Sequence, residues 1–408
     1  MAASVHPRRA RRLLARLSAV ALGVIFALLL VEVGFRVLYG SLPPAIQIVT
    51  RFVRVHPFTD TRLAPLPLWE SDRDYQTILR PGARDTVQIG SMSVRFSLST
   101  YNWWGGRVGF RSPQPETGRV EGVALGDSHT TCFVDEQDCW VNILNAQLGL
   151  ALSNLGQPTT GSLSHARLYW DFVAKPELGL GQPELVIWQF FGNDYNDDYG
   201  LALLNNEART PPPDDALTEY FTDPYTSAFD RWLSEQSAIY ALLTAPGRTS
   251  GRQAQMLVDP FRAEVGGEVM YFGRSYITES FDMRAPRNQE GEAISRDAIL
   301  RTRDIVRGNS GQFVIVLLPA KEEVYRTVTE PYMGAETLDA LAEPRERLMA
   351  FCAAQGIACF DATPALQAIA STGVHLFWPD DLHLNAEGNR VLAAAIASYL
   401  AEQGIVER

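Results

Sequence analysis

The stretch ELVIWQFFGND, Glu184–Asp194, is an apolar run that stops at a glycine followed by two polar residues. A run this short, bounded by turn residues, reads as a strand. Its apolar character asks for burial on both faces, as in a parallel sheet covered by helices. Working outward, strand and helix patterns alternate. EGVALG (Glu121–Gly126) and LALSNLG (Leu150–Gly156) read as short strands, with the amphipathic WVNILNAQLG (Trp140–Gly149) between them. SLSHARLYWDFVA is a helix opened by Ser162. Further on come QFVIVLLP (Gln312–Pro319), a helix from Pro344 to Gly356, and IACFD (Ile357–Asp361). Asn385 caps a last helix with Leu392, Ile396 and Tyr399 on one face. The alternation predicts an α/β protein, a three-layer sandwich with a parallel sheet. Ligands of such sheets bind beyond the carboxyl ends of the strands. Ser128 follows the first strand and Asn193 the third, so the sheet brings both to one edge.

Composition narrows the partners. The 408 residues carry a net charge of −11 without long blocks of either sign, which argues against nucleic acid. Lys175 and Lys321 are the only lysines. Arg8, Arg9, Arg11, Arg12 and Arg16 precede LSAVALGVIFALLLVEVGFRVLYG, which begins at Leu17 and is close to the ~20 residues a bilayer requires. The arginines put the N-terminus in the cytoplasm and the rest outside. A cleaved signal peptide is the competing reading, but Leu38-Tyr39-Gly40 lacks the small-residue cleavage form. The expected organisation is a basic tail (1–16), a single transmembrane anchor (17–39), a partly β membrane-proximal segment (40–117) and an α/β domain (118–404). The α/β domain is then extracytoplasmic. An insertion at about 199–289 interrupts the α/β pattern. Its aromatics Tyr220, Phe221, Phe229, Trp232 and Tyr240 suggest a packed wall or lid rather than a loose loop. Cys132 and Cys139 are seven apart, as are Cys352 and Cys359, which suggests two local disulfides in an exported chain. Four buried thiols are the alternative.

VALGDSHTTCF places Ser128 after the first strand, between Asp127 and His129. Alone, Gly-Asp-Ser is turn chemistry. A nucleophilic serine needs an imidazole to take its proton and a carboxylate to orient that imidazole. FWPDDLHLNAEGNRVLAAA offers His383 with Asp380 three residues earlier. His129 is a weaker base candidate, since neighbouring side chains on an extended segment point apart. His375 lacks an acidic residue at local spacing, and His165 is a further rival. In FFGNDYNDDYG the Asn193 amide could donate to an oxyanion. A calcium loop from Asp194 fails on spacing, with Gly200 at position seven and Asn205 at twelve, leaving Asp194–Asp198 as turn residues. In NLGQPTTGSLSH, Gly161 opens a helix, where its N–H can approach an anion.

These blocks, in this order, resemble the SGNH (GDSL-type) hydrolase family: GDS at Ser128, the glycine of NLGxxxxG at Gly161, GND at Asn193, and DxxH at Asp380 and His383. The resemblance implies a flavodoxin-like α/β/α sandwich. It implies Ser128 as nucleophile, His383 as base and Asp380 as its orienter. The oxyanion hole would be Ser128, Gly161 and Asn193, and no metal or cofactor is expected. The N-terminal VEVGFRVL and the segment VGFRSPQ before the first strand are similar to membrane-anchored bacterial members. His129 departs from the bulky apolar residue common after the serine. GDSH with DxxHLN is similar to SGNH domains attached to multi-spanning polysaccharide acyltransferases, a part this chain lacks. The expected function is a membrane-anchored serine esterase acting on acyl, above all acetyl, esters of a glycan. An O-acyltransferase modifying a surface polysaccharide is the alternative, and an inactive glycan-binding or assembly protein the third reading.

Overall fold

A computed structural model describes residues 7–43, 46, 49–50, 53–56, 62–63, 68–89, 92–100, 106–113, 120–173, 182–212, 227–248 and 261–406. Tyr220 and Phe221 of the insertion lie outside these residues. By internal contacts the chain divides into two units, 1–66 with 223–251, and 67–222 with 252–408.

The larger unit is built on five parallel strands: β1 (Gly122–Leu125), β2 (Leu152–Asn154), β3 (Leu185–Phe190), β4 (Gln312–Leu317) and β5 (Ala358–Asp361). Their order is β5-β4-β3-β1-β2. That is the flavodoxin-like doubly wound order, and its switch point lies between β1 and β3. The expected parallel sheet is present. Every residue of β3 is buried, as its apolar run requires. The pleat sorts each strand onto two faces. Val123, Leu125, Val186, Trp188, Phe313 and Ile315 join one core with Leu168, Ile299 and Leu348. Ala124, Ile187, Val314 and Val316 join the other with Leu144, Leu366, Leu392 and Ile396. Two cores back to back make three layers.

Local chemistry sets most boundaries. The helix Trp140–Leu148 stops at Gly149, whose φ of 64° suits glycine. The Asn385 side chain accepts from Gly388 N at 2.9 Å and caps the final helix, Ala386–Glu402. The helix expected from Pro344 begins earlier, at Ala335, and runs to Gln355 with Pro344 inside it. An interior proline removes one N–H bond and crowds the carbonyl a turn back, yet the helix, packed through Leu338, Leu341 and Leu348, continues through it. Asp194–Asp198, read as turn residues, instead form the start of the helix Asp194–Leu204. Ahead of the sheet come short antiparallel ribbons; in Met92–Ser97 burial alternates strictly, with Val94 and Phe96 inward. Both expected disulfides, Cys132–Cys139 and Cys352–Cys359, are formed.

The smaller unit contains the helix Pro7–Val37 and two short helices of the insertion, Ala228–Gln236 and Ala238–Arg248. Ala15–Val37 has a mean hydropathy of 2.4 and none of it is buried, so it is long and apolar enough to cross a membrane. Val53, Ala238 and Ala241 form this unit's small core, with Phe35 and Leu63 against it.

Candidate active site

Ser128 begins a one-turn helix, Ser128–Thr131, directly after β1. Asp127 caps it, its carboxylate accepting from His129 N at 2.8 Å. Gln189 of β3 accepts from Asp127 N at 3.2 Å and Thr130 Oγ1 at 2.9 Å, which ties the turn to the neighbouring strand. Gly126 is required here, since a Cβ would overlap Thr130 and Gln189. Arg111, from VGFRSPQ, holds the far side. Its guanidinium donates to the carbonyls of Thr131 (3.1 Å), Cys132 and Val134 (2.9 Å) and lies 4.3 Å from the Phe96 ring centroid. Burial lowers its pKa to about 10.

His383 Nε2 lies 2.7 Å from Ser128 Oγ. The other ring nitrogen, Nδ1, lies 2.5 Å from Asp381 Oδ1, which also accepts from the His383 backbone N–H at 2.9 Å. The carboxylate beside the imidazole is therefore Asp381, where the spacing pointed to Asp380. The reason is local: an aspartate capping the N–H two residues on holds its oxygen beside that residue's ring. Asp380 makes no hydrogen bond to His383, and its carbonyl accepts from Arg274. Burial alone would raise Asp381, but the His383 charge and the bonds from His383 outweigh it and hold the group far below the usual carboxylate range.

Backbone clamps fix the loop. Lys321 Nζ donates to the carbonyls of Trp378 (2.8 Å), Pro379 (2.9 Å) and Asp381 (3.1 Å). Burial brings the Lys321 pKa down to about 8. Trp378 Nε1 donates to Phe133 O at 3.0 Å, joining the histidine loop to the serine loop. The His383 ring centroid is 4.5 Å from Phe133 and 5.0 Å from His129.

The rival histidines go elsewhere. His129 is buried against Phe191 at 4.5 Å, and burial with the His383 charge keeps its pKa well below the ordinary value. His165 Nε2 is 3.1 Å from Thr160 Oγ1, and burial lowers its pKa to about 3. His375 lies between Val265 O and Glu268.

Gly161 and Asn193 stand at the carboxyl ends of β2 and β3. A Cβ on Gly161 would overlap the Asp194 carbonyl and the Asp198 carboxylate, so close helix packing demands this glycine. Among the described residues, neither Ser128 N nor Gly161 N meets an acceptor. Asn193 Nδ2 donates to Asp197 Oδ2 at 2.9 Å and to Tyr276 Oη at 3.1 Å. Behind it, Asp194, Asp197 and Asp198 are fully buried. Burial first, then the neighbouring carboxylates, push Asp194 and Asp197 well up. Burial also raises Asp198 to about 7 and Asp127 to about 6. Sequence reading missed Asp381, Lys321, Arg274 and Tyr276. The doubled Asp-Asp was a usable signal, since either residue could meet the ring.

Residues 276–408 match the family described as SGNH hydrolase-like domain, acetyltransferase AlgX. The match takes in Tyr276, Asp381 and His383 and lies downstream of Ser128, Gly161 and Asn193. No curated protein matches the chain. Among solved structures, a catalytic mutant of Axe2, an acetylxylan esterase from Geobacillus stearothermophilus, aligns at 12% identity over 68% of this chain and 93% of its own, with a TM-score of 0.37. A lipolytic protein of the G-D-S-L family from Veillonella parvula aligns at 12% identity over 68% and 97%, with a TM-score of 0.36. A putative lipolytic protein of the same family from Desulfitobacterium hafniense aligns at 11% over 69% and 99%, TM-score 0.35. The C-terminal third is thus similar to an SGNH hydrolase-like domain of the AlgX type, and it lies in a unit built on a flavodoxin-like parallel sheet.

Proposed function

We propose that this chain is a membrane-anchored, extracytoplasmic serine enzyme that takes acyl groups, chiefly acetyl, from esters of a glycan. The observation that carries the reading is the continuous line Ser128 Oγ, His383 Nε2 and Nδ1, Asp381 Oδ1, with gaps of 2.7 and 2.5 Å. With Asp381 ionised and facing Nδ1, the ring carries its proton there and leaves the Nε2 lone pair for the serine. As Oγ attacks the ester carbon, its proton passes to Nε2 and the carbonyl electron pair moves onto oxygen. Ser128 N–H and Gly161 N–H, both without an acceptor among the described residues, are suited to that oxyanion. Asn193 can join them by giving up its bond to Tyr276. Collapse expels the sugar alkoxide, which takes the proton from Nε2. Water then repeats the sequence on the acyl-serine and releases the acid.

The N-terminal apolar helix and the two disulfides support an extracytoplasmic location. A second reading, transfer of the acyl group to a polysaccharide hydroxyl, is favoured equally by the acetyltransferase description of the matched family. The two differ only in which hydroxyl meets the acyl-serine. The test is fluorophosphonate labelling of wild type and Ser128→Ala, followed by acetate release from acetylated xylan with and without a soluble glycan acceptor. Labelling lost in Ser128→Ala supports the serine. Acetate recovered on the acceptor in place of free acid selects transfer. Equal labelling of both proteins overturns the proposal.

A further inference from the structure

The helix Ala228–Gln236 is built the wrong way round for a helix in water. A surface helix of a soluble protein turns its apolar stripe inward and its polar face outward. Here Asp230 and Ser234 are the buried residues, at 6% and 4% exposure. Tyr240 Oη donates to the Asp230 carboxylate at 2.9 Å, and Ser234 Oγ donates to the Asp230 carbonyl at 2.7 Å. Phe229 and Trp232, one turn apart, face out at 67% and 52% and stack on each other with centroids 5.7 Å apart. Leu243 of the next helix is 76% exposed. A single exposed apolar residue means little. An aromatic pair outside with its aspartate and serine inside means that the outer medium is not water alone.

The same unit supplies that medium. Glu32 and Arg36 stand in the last turns of the apolar span Ala15–Val37 and pair at 2.7 Å. Glu32 accepts from Ser237 Oγ (3.0 Å), Ala238 N (2.8 Å) and Ile239 N (3.1 Å). It thereby satisfies N–H groups at the start of the helix Ala238–Arg248, where a carboxylate also meets the positive end of the helix dipole. Arg36 donates to Gln236 O at 2.8 Å, the last residue of the aromatic helix. At about 1.5 Å rise per residue, Glu32 lies ~26 Å along the span from Ala15, close to the far edge of a ~30 Å hydrocarbon layer. The junction between the two short helices is thus hydrogen-bonded to the membrane helix at the depth of the headgroup boundary. Aromatic side chains collect at that boundary, and amphipathic helices lie in its plane.

We infer that Phe229 and Trp232 are a second membrane contact, resting in the headgroup boundary of the phospholipid bilayer crossed by Ala15–Val37. The inference rests on the anchor reading above. It gives this part of the insertion a role apart from substrate: fixing the depth and tilt of the unit that leaves the membrane.

The experiment uses the full-length chain reconstituted in phosphatidylcholine vesicles whose acyl chains are brominated near the headgroup (carbons 6 and 7) or deeper (11 and 12). Tryptophan emission is compared between wild type and Trp232→Phe, one of eight tryptophans being removed. Wild type should lose a component of emission to the shallow bromines, less to the deep ones, and Trp232→Phe should lack that component. Equal fractional quenching of the two proteins, both floating with the vesicles after a carbonate wash, overturns the contact and leaves the anchor standing. Failure of the protein to float overturns the anchor reading, and this inference with it.

Discussion

The two adjacent aspartates ahead of His383 make the sharpest test of the site. Asp381 Oδ1 takes two hydrogen bonds from His383, 2.5 Å from Nδ1 and 2.9 Å from the backbone N–H, while the Asp380 carboxylate takes neither. A hydrogen bond to a charged group is worth about 1.5–3 kcal/mol. At 1.36 kcal/mol per decade, losing the Nδ1 bond alone lowers turnover by about tenfold to a hundredfold. Asp381→Asn keeps an oxygen for the backbone N–H but carries no charge and lets the ring settle in the wrong tautomer, a fault costing ~10⁴ in the well-studied Ser-His-Asp case. The expected loss for Asp381→Asn is therefore about 10²–10⁴ in kcat. Asp381→Ala, which also frees the backbone N–H, should fall at least as far. Asp380→Ala should stay within about twofold, as for substitutions that break no catalytic contact. The assay is initial-rate hydrolysis of p-nitrophenyl acetate together with the half-time of fluorophosphonate labelling, with circular dichroism as a check on folding. An Asp380→Ala loss equal to that of Asp381→Asn would refute the geometry on which the mechanism rests.

Four further outcomes are expected. Tyr276→Phe releases one Asn193 amide proton and should raise kcat/KM on a small acetyl ester up to about fivefold, the worth of one ordinary hydrogen bond; a tenfold fall would instead assign the hydroxyl to the oxyanion. Lys321→Met removes three bonds to the carbonyls ahead of His383 and should lower kcat at least tenfold with KM little changed, while an equal loss in Asp380→Ala would point to the loop as a whole. Asp198 has a folded pKa of about 7 against ~3.9 unfolded, so the folded state holds the extra proton and its stabilisation is full below about pH 4 and lost as pH rises through 7. Tm should thus decline from pH 5 to 8, and Asp198→Asn should flatten that decline; Asp381, shifted down, acts only below about pH 4 and in the opposite sense. Replacing Cys352 and Cys359 together by serine should cost about 2–3 kcal/mol in denaturant unfolding, as for a short closed loop.

The sheet was legible because its strands are short apolar runs that no other arrangement can bury, and their alternation with helices fixes the parallel order. The loss of Pro344 as a helix start has the same origin seen in reverse. Proline is a good first-turn residue, yet the apolar spacing of Leu338, Leu341 and Leu348 carries the helix through it. Packing decided the boundary. The burial of Asp194, Asp197 and Asp198 was illegible for a related reason. Polar residues in a row read as a turn, and nothing in that row marks Asp194 and Asp198 as packed against Gly161.

Within the site, the nucleophile and its base could be read, and the side chains that hold their loops through backbone carbonyls could not. Ser128 and His383 are found by asking what a nucleophile needs. Lys321, Arg274 and Arg111 all donate to carbonyls, of Trp378, Pro379, Asp381, Asp380, Thr131, Cys132 and Val134. A carbonyl has the same chemistry whatever residue carries it, so no partner residue type marks such a bond in the chain. The choice of Asp381 over Asp380 belongs here too. It turns on which carboxylate caps the His383 N–H, a backbone contact. What orients the histidine is therefore the folding of four consecutive residues, held from outside by one buried lysine and one arginine. On this argument the clamps, rather than a longer acidic spacing, keep Nε2 on the serine. Loosening Lys321 should then scatter His383 without touching any atom of the catalytic line.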